Sequence, residues 1–129
     1  MIKYTTIPEF DKDFKKLTKR YKTLPKDFEL MKNAAIEVLY ELRIDNNSIV
    51  KIDGFCTEKY TSNKVRKFAC MSLKGRGSAS GLRVIYVWEE EKRQVSFIEI
   101  YYKGDKENED RERLQNFIKT QFKQPPKQR

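Results

Sequence analysis

The chain has 129 residues, 38% of them hydrophobic and 36% charged, and a formal net charge of +9 at neutral pH. This size suits one domain with a modest core, and no apolar run approaches the roughly 18 residues that cross a bilayer. With no histidine and only two cysteines, the composition argues against a zinc site, a disulfide framework and imidazole catalysis.

The excess of positive charge indicates a polyanionic partner, with nucleic acid ahead of an anionic membrane or an acidic protein segment. The first residues lack the pattern of a signal peptide, which predicts a cytoplasmic protein that does not bind a membrane. Because carboxylates do not cluster at ligand spacing, we expect neither a metal nor a small-molecule cofactor.

The first half of the chain predicts a strand followed by a helical hairpin. Residues 2–6 alternate apolar and polar side chains, as in a short strand, and Pro8 suits the first turn of a helix. Apolar side chains then recur along one helical face at Phe10, Phe14, Leu17 and Tyr21. A break at Leu24 and Pro25 starts a second helix, whose apolar stripe runs to Leu42. Two amphipathic helices with a short connection form an antiparallel hairpin.

The second half predicts a meander of strands and a final helix. Residues 43–63 read as a connection with one short strand at 49–52, and longer strands follow at 64–73, 82–88 and 95–102. A helix at 108–122 ends the domain, which spans residues 1–123 and precedes a flexible C-terminal tail at 124–129.

The predicted fold class is α+β. The order β-α-α-β-β-β-α describes a helical hairpin packed on a small antiparallel β-sheet. We expect the helices to cover one face of this sheet and the cations of the meander to converge on the other, partly open face.

Residues 59–88 form a basic run with seven cations and no carboxylate. The cations are Lys59, Lys64, Arg66, Lys67, Lys74, Arg76 and Arg83. A glycine-rich turn, KGRGSASG at 74–81, separates the two strands of this run. Cations on a rigid sheet beside a flexible loop predict a phosphate-binding surface. A merely solvated basic face explains poorly why no acid interrupts the run.

Three segments of the chain resemble the RelE/ParE superfamily of bacterial type II toxins, and in particular its RelE- and HigB-like branch. The segment KGRGSASGLRVIY at 74–86 is similar to the glycine-rich turn and following strand of these toxins. The segment IYYKGDKEN at 100–108 is similar to their terminal strand, and FxxxFKKL at 10–17 to their first helix. Many relatives have a lysine where this chain has Ser78.

The resemblance implies a toxin that cleaves messenger RNA in the ribosomal A site and is held inactive by a cognate antitoxin protein. It also implies that cations on the sheet bind the RNA backbone and that Arg83 stabilises the scissile phosphate.

Independently of the family resemblance, the chemistry of RNA cleavage requires the same residue types. When a 2′-OH attacks the adjacent phosphate, negative charge grows on the phosphate oxygens and two protons must be transferred. The reaction therefore needs a cation that clamps the phosphate and groups that carry the protons. Arginine suits the clamp because its guanidinium donates two parallel hydrogen bonds to phosphate oxygens. A lysine among other cations has a lowered pKa, which suits proton transfer, and a tyrosine would stack on a base or pass a proton.

These considerations define a candidate site. The predicted catalytic residues are Arg83, Lys74, Lys67, Lys103 and Tyr101. The predicted RNA-binding residues are Lys64, Arg66, Arg76, Tyr102 and Lys106. The structural alternatives are that Lys67 and Lys74 are plain surface residues, that Arg83 is an ion-pair partner, and that the two tyrosines pack in the core or the sheet.

Two other functions are compatible with the same fold. A ParE-like protein would inhibit DNA gyrase by binding alone, and a degenerate toxin would bind RNA without cleaving it. The cation set favours the nuclease, because a pure binder needs neither a clamp nor proton carriers. The missing lysine at Ser78 favours the degenerate module.

Overall fold

The computed structural model describes residues 1–73 and 80–122. Residues 74–79 of the predicted glycine-rich turn, with Lys74 and Arg76, and the predicted flexible tail at 124–129 therefore lie outside the described residues. Within the described ranges, no helix combines the length and the apolar character that crossing a membrane requires.

A helical hairpin follows the first strand, as predicted. Strand β1 spans Lys3–Thr6 and helix α1 spans Pro8–Arg20. A second, continuous helix consists of α2 at Leu24–Met31, a π-helical stretch at Lys32–Glu37 and α3 at Val38–Glu41. The apolar pattern predicts the helix but not its π-helical stretch, because such stretches are rare, short insertions within α-helices.

Helix α1 forms where a helix start coincides with an apolar stripe. Pro8 occupies the first turn, where Glu9 and Asp11 face the positive end of the helix dipole. Phe10 and Leu17 are buried in the core of the domain. The helix thus docks through its apolar face and leaves its lysines toward solvent.

The strands after the hairpin form an antiparallel meander, as predicted. They are β2 at Ile49–Lys51, β3 at Tyr60–Val65, β4 at Leu82–Glu89 and β5 at Gln94–Tyr102. Each pairs antiparallel with the next, and the complete five-stranded order is β1-β5-β4-β3-β2. Strand β1 pairs parallel with β5, so the sheet is mixed and not purely antiparallel. This pairing is possible because the helical hairpin separates β1 from the meander.

The strand predicted at 64–73 lies elsewhere, at Tyr60–Val65. The following segment leaves the sheet because its backbone bonds to the second helix, where Asp27 Oδ2 accepts the N–H of Met71 at 3.0 Å. The alternating pattern that predicted a strand includes buried side chains such as Phe68. This side chain enters the core from the segment that follows β3.

Helix α4 spans Arg111–Gln121, within the predicted range. It packs on the face of the sheet opposite to α1 and α2, so the expectation that all helices cover one face is wrong. The larger core, under α1 and α2, includes Phe10, Leu17, Phe28, Tyr86 and Phe97. The smaller core, under α4, contains Ile52, Ile85, Val87, Ile98, Tyr101 and Leu114. A strand buried on both faces explains the nearly continuous apolar run of β4.

Phe97→Ala tests the larger core, because this ring is 1% exposed and contacts rings from β1, α1, α2 and β4. We expect unfolding free energy to fall by about 3–5 kcal/mol, through lost burial and the cavity left behind. Urea denaturation measures the change. Leu30→Ala, at a helical position that is 55% exposed, is the control and should stay within about 0.5 kcal/mol. Equal losses in the two variants would contradict this assignment of the core.

Candidate functional site

The face of the sheet under α4 brings several predicted site residues together. In the register of the sheet, Arg83 lies opposite Tyr101, and Lys64 lies opposite Ile85. Cross-strand partners project to the same face, and so do residues two apart along a strand. Arg83, Tyr101 and Lys64 therefore share one face, as neighbours across three adjacent strands.

Arg83 is a partly exposed cation near the start of β4. Its Nη1 donates to two backbone carbonyl oxygens, that of Arg66 at 3.0 Å and that of Leu82 at 3.2 Å. No carboxylate in residues 1–73 and 80–122 forms an ion pair with its guanidinium. Its Nε and Nη2 donors make no hydrogen bond to that part of the chain.

Lys64 is held by a buried carboxylate. Its Nζ lies 2.6 Å from Oε1 of Glu109, whose side chain is only 2% exposed. Arg111 donates from Nε to the other carboxylate oxygen over 3.1 Å. Burial opposes the ionisation of Glu109, but the hydrogen bond from Lys64, with help from the backbone of Glu109 and from Arg111, holds its pKa below the ordinary value. Glu109 is thus an ionised anchor, and its negative charge compensates the positive charge of Lys64.

A second buried carboxylate, Glu99, organises the start of α4. One of its oxygens accepts from Lys106 Nζ, and the other accepts the backbone N–H of Asp110 at 2.8 Å. Asp110 caps the helix, because its side chain accepts the N–H of Arg113 at 3.0 Å. Arg113 also reaches Asp13 of α1 at 2.6 Å, which connects α4 to the helical hairpin.

The sequence reasoning missed both glutamates. Glu99 lies in the apolar run VSFIEIYY, where a single carboxylate inside a buried strand is itself a signal of pairing. Glu109 has no comparable signal, because it lies in an acidic segment that reads as solvated.

Tyr101 lies beside these charges and is 6% exposed. Its ring centroid is 5.4 Å from Lys106 Nζ. Burial, and then the negative charges of Glu109 and Glu99, raise its pKa to about 12, although Arg83 opposes the shift. Tyr101 therefore stays protonated at neutral pH, so its hydroxyl can serve as a hydrogen-bond donor and does not act as a base.

Tyr102 projects to the opposite face, because neighbouring residues in a strand point to opposite sides. Its ring lies 5.7 Å from the ring of Tyr21, and the guanidinium of Arg20 lies 5.6 Å from its centroid. Gly81 and Gly104 also pack against this ring. The two tyrosines that the sequence placed in one site thus belong to different surfaces.

Three further predicted cations lie at the margins of this site. Arg66 and Lys67 are exposed in the segment after β3, and Lys103 is exposed just after β5. The backbone N–H of Lys103 donates to the carbonyl of Gly81 at 2.8 Å, beside the start of β4. Lys67 instead lines a groove of about 350 Å³ together with Leu30 of α2. The part of the chain described here contains no group of three or more acidic or thiol side chains placed to hold a metal ion.

No protein-family model matches this sequence, and no curated protein matches it significantly. Among solved structures, the chain is similar to RelE in the archaeal RelE–RelB complex from Pyrococcus horikoshii OT3, with a TM-score of 0.50. The similarity covers 80% of this chain and 96% of that chain, at 12% identity. The fold is that of RelE. The predicted RelE-like architecture is therefore confirmed, and the chemistry of the RelE-like chain must be argued from its site.

Glu109→Gln tests the anchor of α4. We expect unfolding free energy near neutral pH to fall by about 1–3 kcal/mol, because Lys64 loses a charged hydrogen-bond partner. The pKa of Glu109 is lowered in the folded state, so its stabilisation exists above the unfolded value of about 4.3 and is lost as pH falls through the folded value. Urea denaturation at neutral pH and in acid should show the gap between wild type and variant closing in acid.

Glu112→Gln is the matched control, since Glu112 is exposed in the first turn of the same helix. It should change stability by less than about 0.5 kcal/mol. A gap for Glu109→Gln that does not depend on pH would contradict an ionised anchor.

Proposed function

We propose that this protein is the toxin of a type II toxin–antitoxin system, a cytoplasmic, metal-independent endoribonuclease that cleaves messenger RNA. One observation carries the proposal. Arg83 presents a guanidinium with no carboxylate partner among the described residues, whereas its neighbours Lys64 and Lys106 are neutralised by Glu109 and Glu99. Of these three cations, Arg83 is therefore the one whose charge no carboxylate of the described residues compensates.

Arg83 suits the role of phosphate clamp for a physical reason. When a 2′-OH attacks the adjacent phosphorus, negative charge grows on the non-bridging oxygens. A guanidinium fixed by a strand and by two backbone carbonyls meets that charge without having to reorganise. Its planar fork also fixes the orientation of the phosphate, which a flexible lysine does less well.

The proposal assigns different parts to the other predicted residues. Tyr101, which stays protonated, would donate to a phosphate oxygen. The proposed proton carriers are Lys67, Lys74 and Lys103. The proposed contacts to flanking phosphates are Arg66 and Arg76. Lys64 and Lys106 would act chiefly by holding Glu109 and Glu99, and Tyr102 would act from the other face.

The proposed partners are a cognate antitoxin protein, messenger RNA and the ribosomal A site. An antitoxin is supported by the fold, because the similar solved structure is a RelE–RelB complex. The assignment of messenger RNA and the ribosome as partners is supported by the basic run of residues 59–88 and by the resemblance of the sequence motifs to the toxin family.

A second candidate function rests on one observation. Of the groups described next to Arg83, Tyr101 has a pKa raised to about 12 and so does not remove a proton at neutral pH, and Lys64 is engaged in an ion pair with Glu109. A protein with only these groups would bind RNA without cutting it. The same experiment separates the two candidates.

Arg83→Ala should abolish cleavage and leave the fold intact. We expect cleavage to fall by about 100-fold or more, because one preorganised donor to a developing oxyanion contributes on that scale. The measurement is induced expression in a bacterial host with mapping of new RNA 5′ ends. Arg83→Lys retains the charge but not the fork, and should restore only part of the activity.

Arg43→Asn is the matched control, because it removes one positive charge at an exposed turn with a positive φ that asparagine tolerates. Codon-phased cuts in the wild type and the control that vanish in Arg83→Ala support the ribosome-dependent nuclease. Arrest with DNA damage and intact RNA would point to gyrase inhibition. Binding of RNA without cuts would point to the second candidate.

A further inference from the structure

The outer face of α1 carries a second basic surface, which the proposed nuclease site does not use. Every exposed side chain from Lys12 to Arg20 is cationic. Arg20 is engaged by Asp105 and by the hydroxyl of Tyr21. The remaining four, Lys12, Lys15, Lys16 and Lys19, are called here the lysine ridge.

The helix geometry aligns the lysine ridge. Positions three, four and seven apart lie on one side of an α-helix, so the four side chains occupy an arc directly opposite the buried Phe10 and Leu17. The ridge is about 10 Å long, at 1.5 Å per residue from Lys12 to Lys19. No carboxylate in the described ranges pairs with any of its four ammonium groups.

We propose that the lysine ridge binds the phosphate backbone of a duplex RNA segment. A DNA duplex carries about one negative charge per 1.7 Å of its axis over its two strands, so a 10 Å length of duplex carries about six charges. Four parallel lysines without counter-charges of their own match this density. The choice of RNA over DNA rests on the proposed function, whereas the preference for a duplex backbone rests on the ridge itself.

The surroundings of the ridge favour a duplex over the other polyanions. Single strands are bound through stacking on exposed rings, but Phe14, the aromatic residue within this part of α1, packs against Phe10 and Phe28. Membrane-binding helices insert an apolar face, and the apolar face of α1 is already buried against the sheet. Protein interfaces have an apolar centre, which the ridge lacks.

The ridge and Arg83 lie on opposite sides of the molecule. Helix α1 packs on the face that contains Phe97, whereas Arg83 projects from the face under α4. One short RNA strand at Arg83 cannot also lie along the ridge. The two surfaces would therefore bind separate segments of a structured RNA, and the second contact raises the effective concentration of the first.

The test replaces all four ridge lysines by glutamine, which retains helix propensity while removing charge. A control variant neutralises four other exposed lysines, at Lys3, Lys51, Lys92 and Lys119, which lie outside the basic run of residues 59–88. Binding is measured on a 2′-O-methyl RNA duplex, which no 2′-OH attack can cleave, between about 50 and 200 mM salt. Circular dichroism and urea denaturation check that both variants are folded.

We expect the ridge variant to bind the duplex at least 10-fold more weakly and to lose about 3 from the slope of log K against log salt. The control should change by less than about threefold, since scattered charges contribute little beyond a Debye length. Equal losses in the two variants would overturn the proposal. Loss of binding to phosphatidylserine-rich vesicles with unchanged duplex binding would also overturn it, in favour of a membrane.

A cleavage measurement on messenger RNA in a cell-free translation reaction, at saturating protein, separates this inference from the proposed nuclease. The ridge variant should keep the cleavage that depends on Arg83, and Arg83→Ala should keep duplex binding. If no variant and no wild-type protein cleaves, the nuclease proposal fails. Binding to the uncleavable duplex still tests whether the lysine ridge binds duplex RNA.

Discussion

Two buried carboxylates on one face of the sheet determine how this protein distributes its charge. Glu99 and Glu109 are each 2% exposed, and a carboxylate at that depth must be paired and hydrogen-bonded to stay ionised. Their partners are Lys106, the N-terminus of α4 and Lys64. The same contacts therefore connect the start of α4 to the sheet.

This pairing divides the basic residues of the meander into two classes. Lys64 and Lys106 are compensated locally, so they contribute structure and little net field. Arg83 bonds only to backbone carbonyls among the described residues, which orient its guanidinium without neutralising it. Of Lys64, Lys106 and Arg83, Arg83 is the cation without a carboxylate partner among the described residues, and this contrast makes it the focus of the proposed chemistry.

The helical hairpin separates the two basic surfaces. The apolar stripe of the hairpin packs on the face of the sheet that contains Phe97, so the lysines of the hairpin point toward solvent. The opposite face holds Arg83 and is partly covered by α4. A single small domain can therefore present a chemically specific site on one side and a plain backbone-binding ridge on the other.

The sequence by itself determined the hairpin and the strands at 82–88 and 95–102, because apolar periodicity records which side of a local element is buried. It also singled out Arg83, through its place after the glycine-rich turn. Only the tertiary structure decided which cations are neutralised, since Lys64 and Glu109 meet across a long stretch of chain. Tertiary packing also moved the strand predicted at 64–73, because the N–H groups of Met71 and Ser72 bond to the side chains of Asp27 and Thr23 and not to the sheet. Such pairings depend on distances between remote residues, which no local pattern contains.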